Sequence, residues 1–148
     1  METKERNNER GFTLIELMVV IVILGILAGL IIPKIMGRPD EARSAKARMQ
    51  IESIETALKL YKLDNGNYPT TEQGLQALVK PPAVGGLAKN WRLGGYLEKD
   101  RVPKDPWDRD FLYISPGGHG DFDLSCLGAD GEVGGEAKNK DINNWETN

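Results

Sequence analysis

The sequence predicts an α+β fold in which a long N-terminal helix precedes a small antiparallel sheet. Three observations support it: an uncharged apolar run over residues 17–32, an apolar repeat of helical period from Ala47 to Tyr61, and two short strand-like segments after residue 110. The different periods distinguish helix from strand. The chain of 148 residues has room for one small domain beside the apolar run.

The first helix is predicted by the apolar run. Residues 12–32 comprise 21 residues and end just before Pro33. As a helix they would be about 31 Å long, close to the hydrocarbon thickness of a bilayer. The run is too long for a signal-peptide core, and no A-x-A cleavage pattern follows it. The sequence therefore predicts one membrane-spanning helix that kinks or loosens at Pro33, followed by a soluble domain. Basic residues on both sides leave its orientation open.

A second helix is predicted from Asp40 to about Leu63. Its apolar positions are three and four residues apart and form one stripe: Ala47, Ile51, Ile54, Leu58 and Tyr61. The opposite face is charged, with Arg43, Lys46, Arg48, Glu52, Glu55 and Lys59. Such a face is usually solvated, and contact with lipid headgroups is the alternative. Together the two helices are expected to form one long rod.

Short elements follow the second helix. Thr70 and Gln73 have the spacing of a capping box, which predicts a short helix that ends before Pro81. Residues 81–106 are rich in Gly and Pro and are expected to be mostly loop.

Two strands are predicted at residues 111–114 and 122–127, joined by a Gly-rich turn that contains His119. In the second strand Phe122, Leu124 and Cys126 alternate with polar residues, so Cys126 is expected to point inward as a small hydrophobe. The remaining residues, 128–148, are acidic and Gly-rich and lack a periodic pattern.

Composition excludes several classes of function. The net charge is −3 and the pI is about 5.3, which gives no electrostatic reason to expect binding of nucleic acid. With one His and one Cys, the chain cannot form a Cys/His zinc site or an internal disulfide. A nucleophile–base pair and a phosphate-binding Gly loop are both missing from the sequence. An enzyme is therefore not expected.

Glu16 is unusual because a carboxylate inside an apolar helix is costly unless it is paired or lies at an interface. It closes the motif Gly11-Phe-Thr-Leu-Ile-Glu16, which resembles the N-terminal signal of type IV pilins and pseudopilins. The resemblance implies that a prepilin peptidase cuts between Gly11 and Phe12 and that Phe12 becomes N-methylated. Glu16 would then be the assembly carboxylate. Residues 1–11 would be a leader peptide, 12–33 a transmembrane and assembly helix, and 34–148 a periplasmic domain.

Cleavage would give Glu16 a partner. The new α-amine of Phe12 is as costly in hydrocarbon as the carboxylate, and pairing between two subunits would satisfy both charges. Phe12 and Glu16 are four residues apart, so they would share one face of the mature helix. Such a pair would favour one axial register between neighbouring copies, because only that register satisfies both charges.

The C-terminal loop is acidic. Six carboxylates occur from Asp121 to Asp141, at positions 121, 123, 130, 132, 136 and 141, together with four glycines. Ca²⁺ binds six to eight oxygen atoms, and main-chain carbonyls serve as well as carboxylates. The spacing is not that of an EF-hand, so composition alone favours a solvated polar loop.

Three further segments make the resemblance more specific. Residues 62–79, 104–117 and 124–131 are similar to the major pseudopilins of type II secretion systems. That family implies a pilin-like fold and one structural Ca²⁺ ion. The side chains of Asp130 and Asp141 and the main-chain oxygen of Leu127 would hold it, and the main-chain oxygens of Glu132 and Asn139 are further candidates. Two departures from the family pattern are Asp108, where a Gly is expected, and the pair of lysines at 138 and 140.

The expected function is that of the major structural subunit of a pseudopilus, a helical fibre that drives export of folded proteins. The implied partners are other copies of the chain, minor pseudopilins, prepilin peptidase, the inner-membrane assembly platform and lipid, and the outer-membrane secretin. The N-terminus would be cytoplasmic and the domain periplasmic. The alternatives are a type IV pilus major pilin, which commonly closes a C-terminal loop with a Cys pair, and a membrane-anchored periplasmic calcium-binding module.

Overall fold

The apolar run and the amphipathic repeat each form a helix. The computed structural model describes residues 12–35, 38–86 and 88–146. Helix α1 spans Leu14–Ile35 and helix α2 spans Arg38–Asn65. Residues 36–37 lie outside the described residues, so the continuity of the predicted rod stays a prediction. The chain divides into two units, one up to Pro39 and one from Asp40 onward.

Helix α1 begins where Thr13 satisfies its first backbone donors. The Glu16 N–H donates to Thr13 Oγ1 at 3.3 Å, and the Leu17 N–H donates to the Thr13 carbonyl at 3.2 Å. The helix continues through Pro33 and ends at Ile35, so the proline does not end it. Within the described ranges, no helix is long and apolar enough to cross a membrane.

Helix α2 confirms the predicted apolar stripe. Its five members are at most 3% exposed: Ala47, Ile51, Ile54, Leu58 and Tyr61. The helix ends at Asn65, two residues later than predicted, because Gly66 adopts a φ of 86° and donates its N–H to the Lys62 carbonyl at 2.7 Å. A glycine in the left-handed region is the common way to end a helix.

The predicted capping box is confirmed. The Gln73 N–H donates to Thr70 Oγ1 at 3.2 Å, and the Thr70 N–H donates to Gln73 Oε1 at 3.0 Å. The element that follows is a short 3₁₀ helix, Leu75–Leu78. Gln73 also donates to the carbonyls of Val84 and Gly86, which ties the next loop to the capping box. The described part of residues 81–106 contains neither helix nor strand, as predicted.

The sheet has one strand more than the sequence predicts. Its strands are β1, Leu112–Ile114, β2, Asp123–Cys126, and β3, Ile142–Asn143. The order is β1-β2-β3 and both pairings are antiparallel, with Tyr113 opposite Leu124 and Cys126 opposite Ile142. Strand β3 lies between the 3₁₀ helices Ala137–Asn139 and Asn144–Glu146. A two-residue strand shows no period, so the sequence pattern does not predict it.

The hydrophobic core lies in the unit from Asp40 onward. The α2 stripe packs there with Leu78, Tyr113, Phe122 and Leu124, among others. Tyr113 donates its hydroxyl to the Pro69 carbonyl at 2.7 Å, and burial raises its pKa to about 12. Cys126 is fully buried, as predicted. Cys126 and Ile142 flank the C-terminal loop in sequence and pair with each other in the sheet, so β2 and β3 hold the two ends of the loop together.

Candidate functional site

The predicted processing site lies at the start of α1. Gly11 is outside the described residues. Phe12 precedes the helix and is 82% exposed, and Glu16 is exposed as the acidic residue of the first turn. The shared helical face predicted for Phe12 and Glu16 concerns the cleaved chain. In the full chain Phe12 is not helical, so that arrangement stays a prediction.

Helix α1 presents its apolar side chains to solvent. Every large apolar side chain from Leu14 to Leu27 is exposed, and the least exposed, Val20, is still 45% exposed. Contiguous apolar surfaces of this kind mark contacts with lipid or with other proteins. The first unit of the chain thus carries an interaction surface and no described core of its own.

The C-terminal loop is built from tight turns. The Gly131 N–H donates to the Leu127 carbonyl at 2.9 Å, which closes a turn around residues 128–130. Asp130 Oδ1 accepts a hydrogen bond from the Glu132 N–H at 3.2 Å. Across the loop, the Ala129 N–H donates to the Lys138 carbonyl at 3.0 Å. Leu127 and Asp130, two of the predicted ligands, therefore belong to one turn.

Asp141 forms the other side of the loop. Its Oδ2 atom accepts a hydrogen bond from the Gly134 N–H at 2.8 Å, whereas its Oδ1 atom is buried without a hydrogen-bond partner in the described structure. The Asn139 carbonyl lies against Gly128 and Gly135, where a Cβ atom would collide with it. Both oxygen atoms suit a hard cation as ligands. The carboxylate oxygen has no hydrogen-bond partner, and the carbonyl oxygen borders space that is open only because residues 128 and 135 are glycines.

The described residues contain no group of three or more His, Cys, Asp or Glu side chains that could hold a metal ion. A cation site in this loop would therefore depend on main-chain oxygens, as the predicted ligand set does. Lys140, one of the two unusual lysines, pairs with Glu146 at 3.3 Å between Nζ and Oε2. Its charge is thus directed to a carboxylate outside the predicted ligand set.

A buried polar cluster around Asp105 lies next to the C-terminal loop and was not predicted from the sequence. The Asp105 side chain is 1% exposed, and its Oδ1 atom accepts hydrogen bonds from the N–H groups of Trp107 and Arg109, both at 2.8 Å. Cys126 Sγ lies 3.4 Å from Asp105 Oδ2. Burial and the neighbouring Asp105 charge raise the pKa of the Cys126 thiol to about 12, so it stays protonated and can donate. The available signal for this cluster was the motif Asp105-Pro106-Trp107, the DPW motif, which lies within the segment 104–117 that resembles the family.

Asp108, which stands where the family pattern has Gly, forms a tight turn. It adopts a φ of 66°, in the left-handed region, and donates its N–H to the Asp105 carbonyl at 3.0 Å. Asp tolerates this region better than most residues with a side chain. The turn is therefore retained at a conformational cost that glycine would not carry.

Asp123 departs from the predicted alternation, because it is buried on β2 with 9% exposure. It accepts hydrogen bonds from the N–H groups of Gly118 and His119 and lies 3.0 Å from His119 Nδ1. Burial by itself would raise the pKa of Asp123, but these hydrogen bonds outweigh it and lower the pKa. The His119 ring also stacks on Trp145, with centroids 3.9 Å apart. His119 thus joins the turn to the C-terminal segment.

Known families and proteins resemble this chain over most of its length. The family described as type II secretion system (T2SS), protein G, matches residues 34–145, and the prokaryotic N-terminal methylation motif matches residues 6–32. The chain is 52% identical to the type II secretion system core protein G of Pseudomonas aeruginosa, covering 96% of this chain and 99% of that protein. It is 49% identical to the protein of the same name from Escherichia coli K12, covering 94% and 92%.

A solved structure supports the fold. The crystal structure of the major pseudopilin from the type 2 secretion system of enterohaemorrhagic Escherichia coli matches with a TM-score of 0.65 and 42% identity, covering 76% of this chain and 95% of that one. The predicted α+β, pilin-like fold is confirmed. The matched family consists of structural subunits, in agreement with the expectation against an enzyme. The chain therefore belongs to the type II secretion system protein G family, the family of the major pseudopilins.

Proposed function

We propose that the chain is the major structural subunit of a type II secretion pseudopilus, polymerising from the inner membrane into a helical fibre that drives folded proteins across the outer membrane. The observation that carries this proposal is α1, whose exposed apolar surface begins directly after the Gly11–Phe12 junction and contains Glu16 in its first turn. Lipid would cover this surface before assembly, and the α1 helices of other copies would cover it afterwards.

Processing comes before assembly in this proposal. Prepilin peptidase removes residues 1–11, Phe12 is N-methylated, and Glu16 pairs with the Phe12 amine of a neighbouring copy. The match to the N-terminal methylation motif over residues 6–32 supports this step. The chain crosses the inner membrane once, with its domain in the periplasm, and works with minor pseudopilins, the assembly platform and the secretin.

The intact mass of the protein extracted from membranes tests the processing step. We expect a chain that lacks residues 1–11 and carries one added methyl group at Phe12. A full-length, unmethylated chain would contradict the proposal. A chain cleaved elsewhere would contradict the assigned junction, because the mass identifies the new first residue.

We also propose that the C-terminal loop holds one structural Ca²⁺ ion. The side chains of Asp130 and Asp141 and the Leu127 carbonyl would hold it, with main-chain oxygens of Glu132 and Asn139 as further ligands. The buried, unpartnered Asp141 Oδ1 atom supports this proposal, since such an oxygen is costly without a partner. When bound, the cation would close the loop in a chain that contains one cysteine and no disulfide.

Calorimetric melting of the detergent-solubilised chain tests the calcium proposal. Binding to the folded state stabilises it by about 2.7 kcal/mol at a hundredfold excess over Kd. We expect a higher midpoint in millimolar Ca²⁺ than in EGTA, and a smaller increase in Mg²⁺, which prefers octahedral geometry and retains its waters. Equal melting midpoints in Ca²⁺ and EGTA would contradict the calcium proposal and would mean that these residues form a solvated polar loop.

The type IV pilin alternative receives less support. A C-terminal Cys pair cannot form, because Cys126 is the one cysteine of the sequence and is fully buried in β2. A membrane-anchored calcium-binding module that does not polymerise would need an apolar anchor helix but not the motif from Gly11 to Glu16. The intact-mass experiment separates it from a processed pseudopilin.

A further inference from the structure

Arg109 contacts two parts of the domain that are distant in sequence. Its Nη2 atom donates to the Gly128 carbonyl, and its Nε atom lies 3.5 Å from Asp105 Oδ2. A Cβ atom added at Gly131 would collide with Arg109 Nη1. The guanidinium therefore fills the space between the buried Asp105 carboxylate and the turn at residues 127–131.

The inner end of this link is fixed. Asp105 is almost completely buried, and its carboxylate already accepts two backbone hydrogen bonds and lies against the Cys126 thiol. A buried carboxylate that moved would lose these partners at high cost. Asp105 therefore holds Arg109 in place, and it also balances the positive charge of the guanidinium.

The outer end of the link lies in the candidate calcium loop. Gly128 follows Leu127, and Gly131 follows Asp130, so the two residues that touch Arg109 are neighbours of two candidate ligands. A guanidinium has five N–H donors in one rigid plane and can serve Asp105 and the Gly128 carbonyl together. A lysine has one nitrogen atom and cannot bridge both in the same way.

We propose that Arg109 is a positioning residue for calcium binding, because its guanidinium fixes the turn that carries the Leu127 carbonyl and the Asp130 carboxylate before the cation arrives. The consequence for metal binding rests on the proposed calcium loop. Asp105 neutralises the charge of the Arg109 guanidinium. The effect of Arg109 in fixing the turn therefore outweighs the repulsion between Arg109 and the cation. Arg109 acts through the main chain and is not itself a ligand.

The full chain in detergent micelles provides the test, with Arg109→Lys as the variant that keeps the charge beside Asp105. Amide hydrogen exchange at Gly131, measured in EGTA, reports whether the turn is fixed without metal. Titration calorimetry with CaCl₂ gives Kd. We expect exchange about tenfold faster. We expect a Kd about tenfold higher, the low end of the range seen when groups that orient metal ligands are changed. The matched control, Arg101→Lys at an exposed arginine of the preceding segment, should change neither.

A double-mutant cycle with Gly131→Ala makes the test specific to the contact. Gly131 has a φ of 77°, so alanine is strained there in any background, and the cycle cancels that cost. The collision with Nη1 exists only when Arg109 is present. Gly131→Ala should therefore weaken Ca²⁺ binding less in the Arg109→Lys background than in the unchanged chain. Additive losses would contradict a contact between the two residues.

The outcomes separate this inference from the calcium proposal. Unchanged exchange and unchanged Kd in Arg109→Lys would overturn the positioning role. If the unchanged chain binds no Ca²⁺, the calcium loop and its dependence on Arg109 both fail. Faster exchange in Arg109→Lys would then still support the part of the inference that concerns the fixed turn.

Discussion

Helix α1 and the domain from Asp40 onward are both rich in apolar residues, but the domain buries them and α1 exposes them. In the domain, the stripe of α2 is at most 3% exposed and packs against the sheet and the short 3₁₀ helix. In α1, every large apolar side chain from Leu14 to Leu27 is at least 45% exposed. The domain can satisfy its apolar surface within one chain, whereas α1 requires lipid or other copies. Changes in α1 and before it should therefore affect processing and assembly, and changes in the domain should affect stability.

The largest effect is expected at the junction before α1. Gly11→Val should leave a full-length, unmethylated precursor, because a side chain larger than a methyl group would block the peptidase. Gly11→Ala is the matched control and should still be cleaved. The intact mass of the membrane fraction measures both, and normal maturation of Gly11→Val would show that the cleavage assignment is wrong.

Glu16→Leu should abolish efficient assembly without affecting the domain. The variant makes α1 more apolar, so it should still insert and be cleaved, but the Phe12 amine of the neighbouring copy loses its partner. The yield of sheared fibres and the melting midpoint of the domain measure the two regions separately. Glu41→Leu, at an exposed carboxylate of α2, is the control. Normal fibre yield from Glu16→Leu would contradict the pairing.

In the domain, the largest expected change follows loss of a calcium ligand. Asp130→Ala or Asp141→Ala should remove the Ca²⁺-dependent rise in midpoint, about 2.7 kcal/mol at a hundredfold excess over Kd, and expose the loop to proteases. Glu136→Ala changes an exposed carboxylate of the same loop that is not a candidate ligand, and it should keep the rise. A rise retained by both Asp variants would place the cation elsewhere. All three variants should be cleaved normally, because the loop belongs to the other unit.

Asp123 should make the domain sensitive to acid. Hydrogen bonds from His119 and from two backbone N–H groups lower the pKa of Asp123 below its ordinary value of 3.8 despite burial. Its stabilising contribution is therefore present above that value and is lost as the pH falls through the lowered value in the folded state. Melting between pH 5 and pH 2 should show a smaller decrease for Asp123→Asn than for the unchanged chain. The midpoint of the control Asp100→Asn, at an exposed carboxylate, should fall with pH as that of the unchanged chain does.

The smallest effect is expected at Asp108. Asp108→Gly should stabilise the domain by about 1 kcal/mol or less, because glycine adopts the left-handed region without the cost of a Cβ atom. Chemical denaturation measures the change. Asp108→Ala should destabilise the domain, because alanine tolerates that region less well than Asp. A loss of stability in Asp108→Gly would mean that the Asp108 side chain has a role beyond the turn.

Features that depend on neighbours in sequence could be predicted. The α2 stripe and the reciprocal capping box of Thr70 and Gln73 require only the helical period and local spacing, and both are confirmed. The motif at Gly11 identified the family, although Gly11 itself lies outside the described residues. The inward direction of Cys126 also followed from strand alternation.

Features that depend on distant residues could not be predicted. Strand β3 is two residues long and is defined by pairing with β2. Asp123 is buried because backbone donors from the preceding turn satisfy its carboxylate, which outweighs the alternation rule. Arg109 contacts both Asp105 and Gly128, so the turn after the DPW motif and the C-terminal loop must lie side by side. No local sequence pattern predicts that these two segments are in contact. Composition likewise identified the loop as acidic without showing the orphaned oxygen of Asp141.

The C-terminal segment has a consequence for the order in which the domain forms. Asn144 donates to Glu55 Oε1 at 3.3 Å and accepts from the Leu124 N–H at 2.9 Å, while Trp145 stacks on His119. Contacts between residues far apart in sequence form slowly, because a long loop must close first. Helix α2 can therefore form as soon as its own residues have emerged from the ribosome or crossed the membrane. The sheet is completed only when residues 142–146 arrive, so a chain halted before them would expose the edge of β2 and be open to aggregation and proteolysis.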